Sequence, residues 1–255
     1  MSQIYESDKI LAEYLLFHYG SDEEILPATQ NWPDGMRRAL GFPIRTTTHF
    51  SNSRPGRGLD LGCAVGRSTF EMARACQEVI GVDFSHAFIA AANQLKNGQS
   101  LDFLRLEEAA HFTQLTASLP NGIDPARVEF TQGDAMNLPE IGSFDRVHAA
   151  NLLCRLPEPV RLLARLPQLV RPKGELVLVT PCTWLEEFTP PPNWPLPDTL
   201  AWLKHHLAPH FTLLRETEEP FLIRETARKF QWSRSLVTVW QRKPQEESAR
   251  TVSQP

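Results

Sequence analysis

Gly58-Leu59-Asp60-Leu61-Gly62-Cys63-Ala64-Val65-Gly66-Arg67 is the stretch whose reading decides the fold. Its left half is short and apolar, as a buried parallel strand is. Its right half is small residues and glycine. A helical pattern then opens with Ser68, Phe70, Met72 and Ala73. A strand that turns through glycines into a helix lets a ligand approach the backbone and offers it free N–H groups. The spacing Asp60-x-Gly62-x-Ala64-x-Gly66 departs from the dinucleotide pattern G-x-G-x-x-G and speaks against a nicotinamide-dependent oxidoreductase. It is closer to acidic-x-Gly-x-Gly-x-Gly, with Ala64 at the middle glycine.

Acidic residues follow at the places a nucleoside needs them. Val79-Ile80-Gly81-Val82 reads as a second buried strand ending in Asp83, where a carboxylate accepts hydrogen bonds from ribose hydroxyls. Phe84 is placed to lie against an adenine face. Val128-Glu129-Phe130 reads as a third strand, with Asp134 and the backbone of Ala135 following it, placed for the adenine edge. Phe144 to Ala150 reads as a fourth strand, delivering Asn151 and Arg155 to the edge of the sheet where ligands meet. A helix over 159–170, a tight turn at Arg171 to Gly174 and a fifth strand over 175–180 come next. A helix at 200–206 and strands at 211–216 and 236–242 complete a seven-stranded, mostly parallel α/β sheet.

Upstream, Ser7 caps a helix that Gly20 stops. Tyr14, Phe17, His18 and Tyr19 cluster on that helix, as core rings or as a lid over a small ligand. Residues 98–127 show no clear periodicity and stay unassigned, an inserted cover element being one reading. The segment Pro181 to Asn193 leaves the ligand end of the fifth strand. It carries Trp184 beside Glu186 and Glu187, which suits a polar pocket with an aromatic wall for a small zwitterion. Arg155 or Arg224 is placed to fork a carboxylate, and Glu186 or Glu187 to accept an N–H or ammonium.

The chain has 255 residues, 42% hydrophobic and 22% charged, with a formal net charge of −4. That balance suits one domain over 1–243, a helical cap at 1–56 and a core at 57–243, with a flexible tail at 244–255. An acidic chain lacks the basic face that nucleic acid requires, and no apolar run reaches membrane-spanning length. Cys63, Cys76, Cys154 and Cys182 form no C-x-x-C pair, so no metal site is expected. A cytoplasmic enzyme with reduced thiols is the expectation.

Over Tyr5 to about Trp240 the sequence resembles the ovothiol-biosynthesis methyltransferases, including the C-terminal domain of fused sulfoxide synthases. The matching stretches are Glu13 to Gly20, Leu59 to Ser68, Ala150 to Pro157, Thr183 to Pro190, Leu222 to Glu225 and Lys229 to Trp232. The resemblance implies a class I S-adenosylmethionine-dependent methyltransferase (Rossmann-like) fold with an N-terminal helical lid. It implies methylation of the imidazole π nitrogen of 5-thiohistidine (4-mercaptohistidine), histidine or another small imidazole being the alternative acceptor. It also implies functional pairing with a separate sulfoxide synthase. Cofactor contacts then fall to Tyr14, Arg45, Asp60, Gly62, Cys63, Ala64 and Gly66, and further along to Asp83, Phe84, Asp134, Ala135 and Asn151. Acceptor contacts fall to Phe17, His18, Tyr19, Asn151, Arg155 and Trp184, with Glu186, Glu187, Arg224, Glu225 and Trp232. His18, Glu186 and Glu187 are the candidates to set the ring's tautomer or take its proton.

Overall fold

The computed structural model describes residues 3–51 and 55–244. Seven strands form one sheet: β1 (Arg57–Leu61), β2 (Glu78–Asp83), β5 (Val128–Gln132), β6 (Phe144–Ala150), β7 (Val170–Thr180), β8 (Phe211–Arg224) and β9 (Phe230–Arg242), in the spatial order β5-β2-β1-β6-β7-β9-β8. The first five are mutually parallel, and β9 runs antiparallel between β7 and β8. The chain winds outward from β1 through β2 to β5, then returns to β6 on the other side of β1. The carboxyl ends of β1 and β6 therefore flank the point where the winding direction reverses, and a crevice opens there.

Sequence pattern explains the layers. Leu59, Asp60 and Leu61 are all buried, as a strand covered on both faces requires. Helix α6 (Pro159–Leu169) turns Leu162, Leu163, Leu166 and Leu169 inward and leaves Arg161 exposed. Helices α4 (Arg67–Met72) and α5 (His86–Lys96) pack on the other face, and α7 (Thr199–Leu207) joins α6. The tight turn expected at Arg171 to Gly174 is absorbed into β7, whose pairing with β6 slips register there while Lys173 takes φ of +67°. β8 runs well past its expected end, and β9 begins well before its expected start.

The N-terminal cap holds α1 (Asp8–Tyr19), α2 (Asp22–Ile25) and α3 (Phe42–Arg45), with short 3-10 turns between and before them. Ser7 accepts the Ile10 N–H at the start of α1, and Gly20 ends it; a Cβ there would sit 2.6 Å from the Leu16 carbonyl oxygen. Leu15, Leu16, Ile25, Leu26 and Phe42 of the cap share one apolar cluster with Val65, Phe70 and Val237 of the core.

The unassigned stretch 98–127 contains an antiparallel hairpin, β3 (Leu101–Glu108) and β4 (His111–Ala117). It packs beside α1 and α5 and away from the crevice, where it borders a second cavity of about 720 Å³. It is thus no cover over the ligand crevice. The tail expected at 244–255 lies, apart from Pro244, outside the described residues.

Candidate active site

A cavity of about 300 Å³ occupies the crevice between the sheet's carboxyl edge and the cap. On the sheet side it is lined by Gly62, Ala64, Asp83, Phe84, Ala135 and Asn151. On the cap side it is lined by Tyr14, Phe17, His18, Phe42 and Thr46.

The glycine turn is built by left-handed backbone. Gly62 sits at φ +71°, where a Cβ would lie 3.1 Å from Leu152, and Gly66 at φ +90°, where it would lie 2.5 Å from the Phe130 ring. Ala64 adopts φ +48° with a side chain in place. Its N–H donates to Asp83 Oδ2 at 2.9 Å, while Asp83 Oδ1 accepts the Ser85 N–H at 2.9 Å. Burial pushes the Asp83 carboxyl up to about 6, against the pull of those N–H donors. The next strand contributes Ala135 directly. Asp134 itself stands beside the lining and accepts the Met136 N–H at 2.9 Å. Asn151 is also left-handed, at φ +54°, and its Oδ1 accepts from Ser235 Oγ at 2.9 Å.

Tyr14, Phe17 and His18 face the cavity from α1, and Arg155 and Phe188 meet at its rim. The Arg155 guanidinium stands 4.6 Å over the Phe188 ring and donates to the Thr183 carbonyl at 3.3 Å. His18 is buried, and its Nδ1 has no hydrogen-bond partner among the described residues. Burial pushes its imidazole down to about 3, outweighing the Asp60 carboxylate. His18 is therefore neutral across the physiological range.

Several expected site residues are engaged elsewhere. Asp60 is buried behind the turn. It accepts from Ser68 Oγ at 2.6 Å, Thr69 Oγ1 at 2.7 Å and His148 Nδ1 at 2.8 Å. Burial pushes its carboxyl up, yet the His148 imidazole and the two hydroxyls outweigh that and hold it below the ordinary value. Cys63 is fully buried and directs its thiol to the Ala64 carbonyl, and Gly66 serves close packing against Phe130. Arg45 lies outside the cavity and ties α3 to β8 through Glu219 at 2.9 Å and the Pro220 carbonyl. Tyr19 turns away, donating to the Val65 carbonyl at 2.7 Å.

The Trp-Leu-Glu-Glu segment departs most from expectation. Trp184 donates to Thr199 Oγ1 at 3.0 Å and packs against Trp202, while Glu186 and Glu187 are exposed and outside the lining. Phe188 is the residue of that segment that reaches the cavity. Arg224 is buried and spends its guanidinium on the Glu24 and Ile25 carbonyls and on Glu107 at 2.6 Å. Glu225 pairs with Lys229 at 2.5 Å beside the second cavity, and Trp232 is exposed on β9.

The structure adds residues that no motif announced: Tyr5 and Glu6 ahead of α1, Phe42 and Thr46, and His148 in the middle of β6. Glu6 accepts the His86 and Ala87 N–H groups at 3.0 and 3.1 Å, fastening the chain's start to α5. The signal available for His148 was a histidine between the apolar Val147 and Ala149 of a buried strand, a position that demands a partner.

Residues 59–178 match the sequence profile described as a methyltransferase domain, Methyltransf_11. The trans-aconitate 2-methyltransferase of Deinococcus radiodurans is 32% identical over 149 residues, covering 57% of this chain and 46% of that protein. The tRNA U34 carboxymethyltransferase of Idiomarina loihiensis is 30% identical over 137 residues, covering 53% and 36%. The chain thus spans about half, or less, of those relatives' length. Among solved structures, the N-methyltransferase NodS from Bradyrhizobium japonicum WM9 in complex with S-adenosyl-L-homocysteine aligns at TM-score 0.53 and 14% identity, over 92% of this chain and 99% of that one. The fold is that of the class I S-adenosylmethionine-dependent methyltransferases, and within it residues 59–178 are similar to a methyltransferase domain; S-adenosylmethionine is the cofactor of methyltransferases with that fold. None of the described helices is long and apolar enough to cross a membrane.

Proposed function

We propose that the chain is an S-adenosylmethionine-dependent N-methyltransferase whose acceptor is 5-thiohistidine, methylated on the imidazole π nitrogen. One observation supports this above the rest. The crevice joins a nucleoside-type seat at Asp83 to a small chamber walled by rings, with an arginine at its rim and the neutral His18 imidazole inside. The sequence resemblance over Tyr5 to about Trp240 supplies the acceptor's name, and a separate sulfoxide synthase is its natural source.

The residues fit the cofactor. Asp83 is a carboxylate kept short of solvent, which ribose hydroxyls would relieve. Gly62 leaves space where any Cβ would press on Leu152. Phe84 stands 42% exposed at the mouth, where an adenine would cover it. When bound, S-adenosylmethionine supplies a methyl group on a positively charged sulfur.

The rest falls to this chain's own side chains. Arg155 holds the acceptor's carboxylate at the rim. Tyr14, Phe17 and Phe42 clamp a flat ring and exclude water. The acceptor's sulfur is intrinsically the better nucleophile, so nitrogen selectivity rests on placement, with the nitrogen about 3 Å from the methyl. His18, uncharged and with a free Nδ1, suits orienting a ring N–H and not strong base catalysis. Glu186 and Glu187 leave the catalytic assignment, since both stand outside the chamber.

The test is incubation of the protein with S-adenosylmethionine and, in turn, 5-thiohistidine, histidine and free imidazole. The expected product is π-N-methyl-5-thiohistidine, formed fastest from the thiolated acceptor. S-methylation, or no product, would sink the assignment.

A further inference from the structure

In the chamber wall a buried imidazole is paired with a carboxylate behind it, a pair that no motif predicted. Asp60 Oδ1 lies 2.8 Å from His148 Nδ1. Asp60 is 1% exposed and His148 is fully buried. The other two bonds to Asp60, from Ser68 and Thr69, both end on Oδ2, so Oδ1 is left to His148. In the neutral form of the ring, a carboxylate on Nδ1 places the proton there and leaves the lone pair on Nε2. That Nε2 has no hydrogen-bond partner among the described residues, and His148 lines the chamber beside Thr46, Phe42 and Ile223.

Buried nitrogens with free lone pairs are rare unless something is meant to meet them. His148 comes from β6, the middle strand of the sheet, and the carboxylate behind it fixes the ring's rotation. Titratable neighbours come from three other elements: Asp60 on β1, His18 on α1, and His49 in the 3-10 turn Thr46–His49.

We propose that the Asp60–His148 pair is the seat for the acceptor's heterocycle, His148 Nε2 accepting a hydrogen bond from the ring N–H on the nitrogen that is not methylated. This rests on the reading of the acceptor as an N–H-bearing imidazole. Held this way, the ring keeps its proton on the far nitrogen and presents its lone pair from the other. No proton has to leave during transfer. His148 is then a catalytic residue by contact, and Asp60 a positioning residue that acts through it. The same logic holds the histidine of a serine-protease triad in its working tautomer.

The experiment takes the full chain, labelled with nitrogen-15 in its histidine rings and loaded with S-adenosylhomocysteine. Imidazole and then 5-thiohistidine are titrated in, and ring nitrogens are read by magnetic resonance, with His148→Phe identifying the signals. The expected result is a proton on Nδ1 of His148 and an Nε2 signal that moves with both ligands. Imidazole affinity falls about 10-fold in His148→Phe. Asp60→Asn keeps an oxygen for Ser68 and Thr69 but turns an N–H toward Nδ1. The proton of His148 then moves to Nε2 and the seat becomes a donor. Expected there are an inverted ring spectrum, S-adenosylhomocysteine affinity held within about 2-fold, and kcat/KM for 5-thiohistidine down about 10- to 100-fold. An Nε2 signal that ignores both ligands, or His148→Phe turning over at the wild-type rate, overturns the seat. If the wild type methylates nothing yet Nε2 answers imidazole, the functional assignment falls and the seat stands. Methylation that is indifferent to His148 gives the converse.

Discussion

At the scale of single residues, Asp83 is the most exposed to experiment. Its carboxyl is raised to about 6 by burial, above the ordinary carboxylate value. Ribose hydroxyls donate to the ionised form, so binding favours the deprotonated site. S-adenosylhomocysteine affinity should hold above about pH 7 and fall as pH drops through about 6, by about 10-fold per pH unit at the limit. Calorimetry from pH 8 to pH 5 checks this, and Asp83→Asn should flatten the profile while weakening binding throughout. The sign for stability is opposite: the empty protein binds more protons at this group than the unfolded chain does, so Asp83 costs stability above about pH 6 and that cost fades below it. Ala64 makes a second residue-scale prediction. It holds φ +48°, where a Cβ is strained, and its only side-chain atom is that Cβ. Ala64→Gly should therefore be tolerated or gain up to about 1 kcal/mol in denaturant unfolding, with cofactor affinity unchanged. Both positions were legible from the loop spacing alone, because backbone conformation and strand-end acids are written locally. Asp60 shows the limit of such reading. It stands at the expected place in the motif, but its partner His148 is 88 residues away, and no local pattern links them.

At the scale of elements, two arginines that were equal candidates for a carboxylate part company. Arg224 is buried between α2, β3 and β8, where it holds two backbone carbonyls and Glu107. Removing it strands those acceptors. Arg224→Ala should cost about 2–4 kcal/mol in denaturant unfolding yet leave S-adenosylhomocysteine binding intact below the transition. Arg155 stands half-buried at the chamber's rim over Phe188. Arg155→Ala should cost little stability and raise the acceptor's KM about 10- to 100-fold, with the cofactor's dissociation constant unmoved. The strands and helices of the core were legible because they are buried on both faces or strongly amphipathic. The β3–β4 hairpin was not. Its two-residue loop is Ala109-Ala110, with Ala109 at φ +49° where glycine or asparagine would have signalled a turn. Leu104 and Phe112 on its strands are exposed, which blurs the alternation. Trp184, Glu186 and Glu187 misled for a related reason: composition says that a loop is unusual, but not which way its side chains turn.

At the scale of the whole molecule, cap and core share one apolar cluster, from Leu15 and Phe42 through Val65 and Phe70 to Val237. Heating should give one unfolding transition by calorimetry and by circular dichroism alike, with no separate event for residues 1–56. S-adenosylhomocysteine at about 100 times its dissociation constant should add about 2.7 kcal/mol and raise Tm by about 5–10 °C. The cap is also fixed to the cofactor seat at both ends. Glu6 holds the start of α5, directly after Ser85, while Tyr19 holds the Val65 carbonyl and Arg67 reaches the His18 carbonyl at 3.2 Å. The wall that meets the acceptor therefore hangs from the very turns that receive the donor. Occupancy of one compartment stiffens the frame of the other, so the two ligands are thermodynamically linked, and the linkage is reciprocal. Steady-state kinetics should accordingly follow a compulsory sequence, donor first and acceptor second, with the spent donor the last to depart.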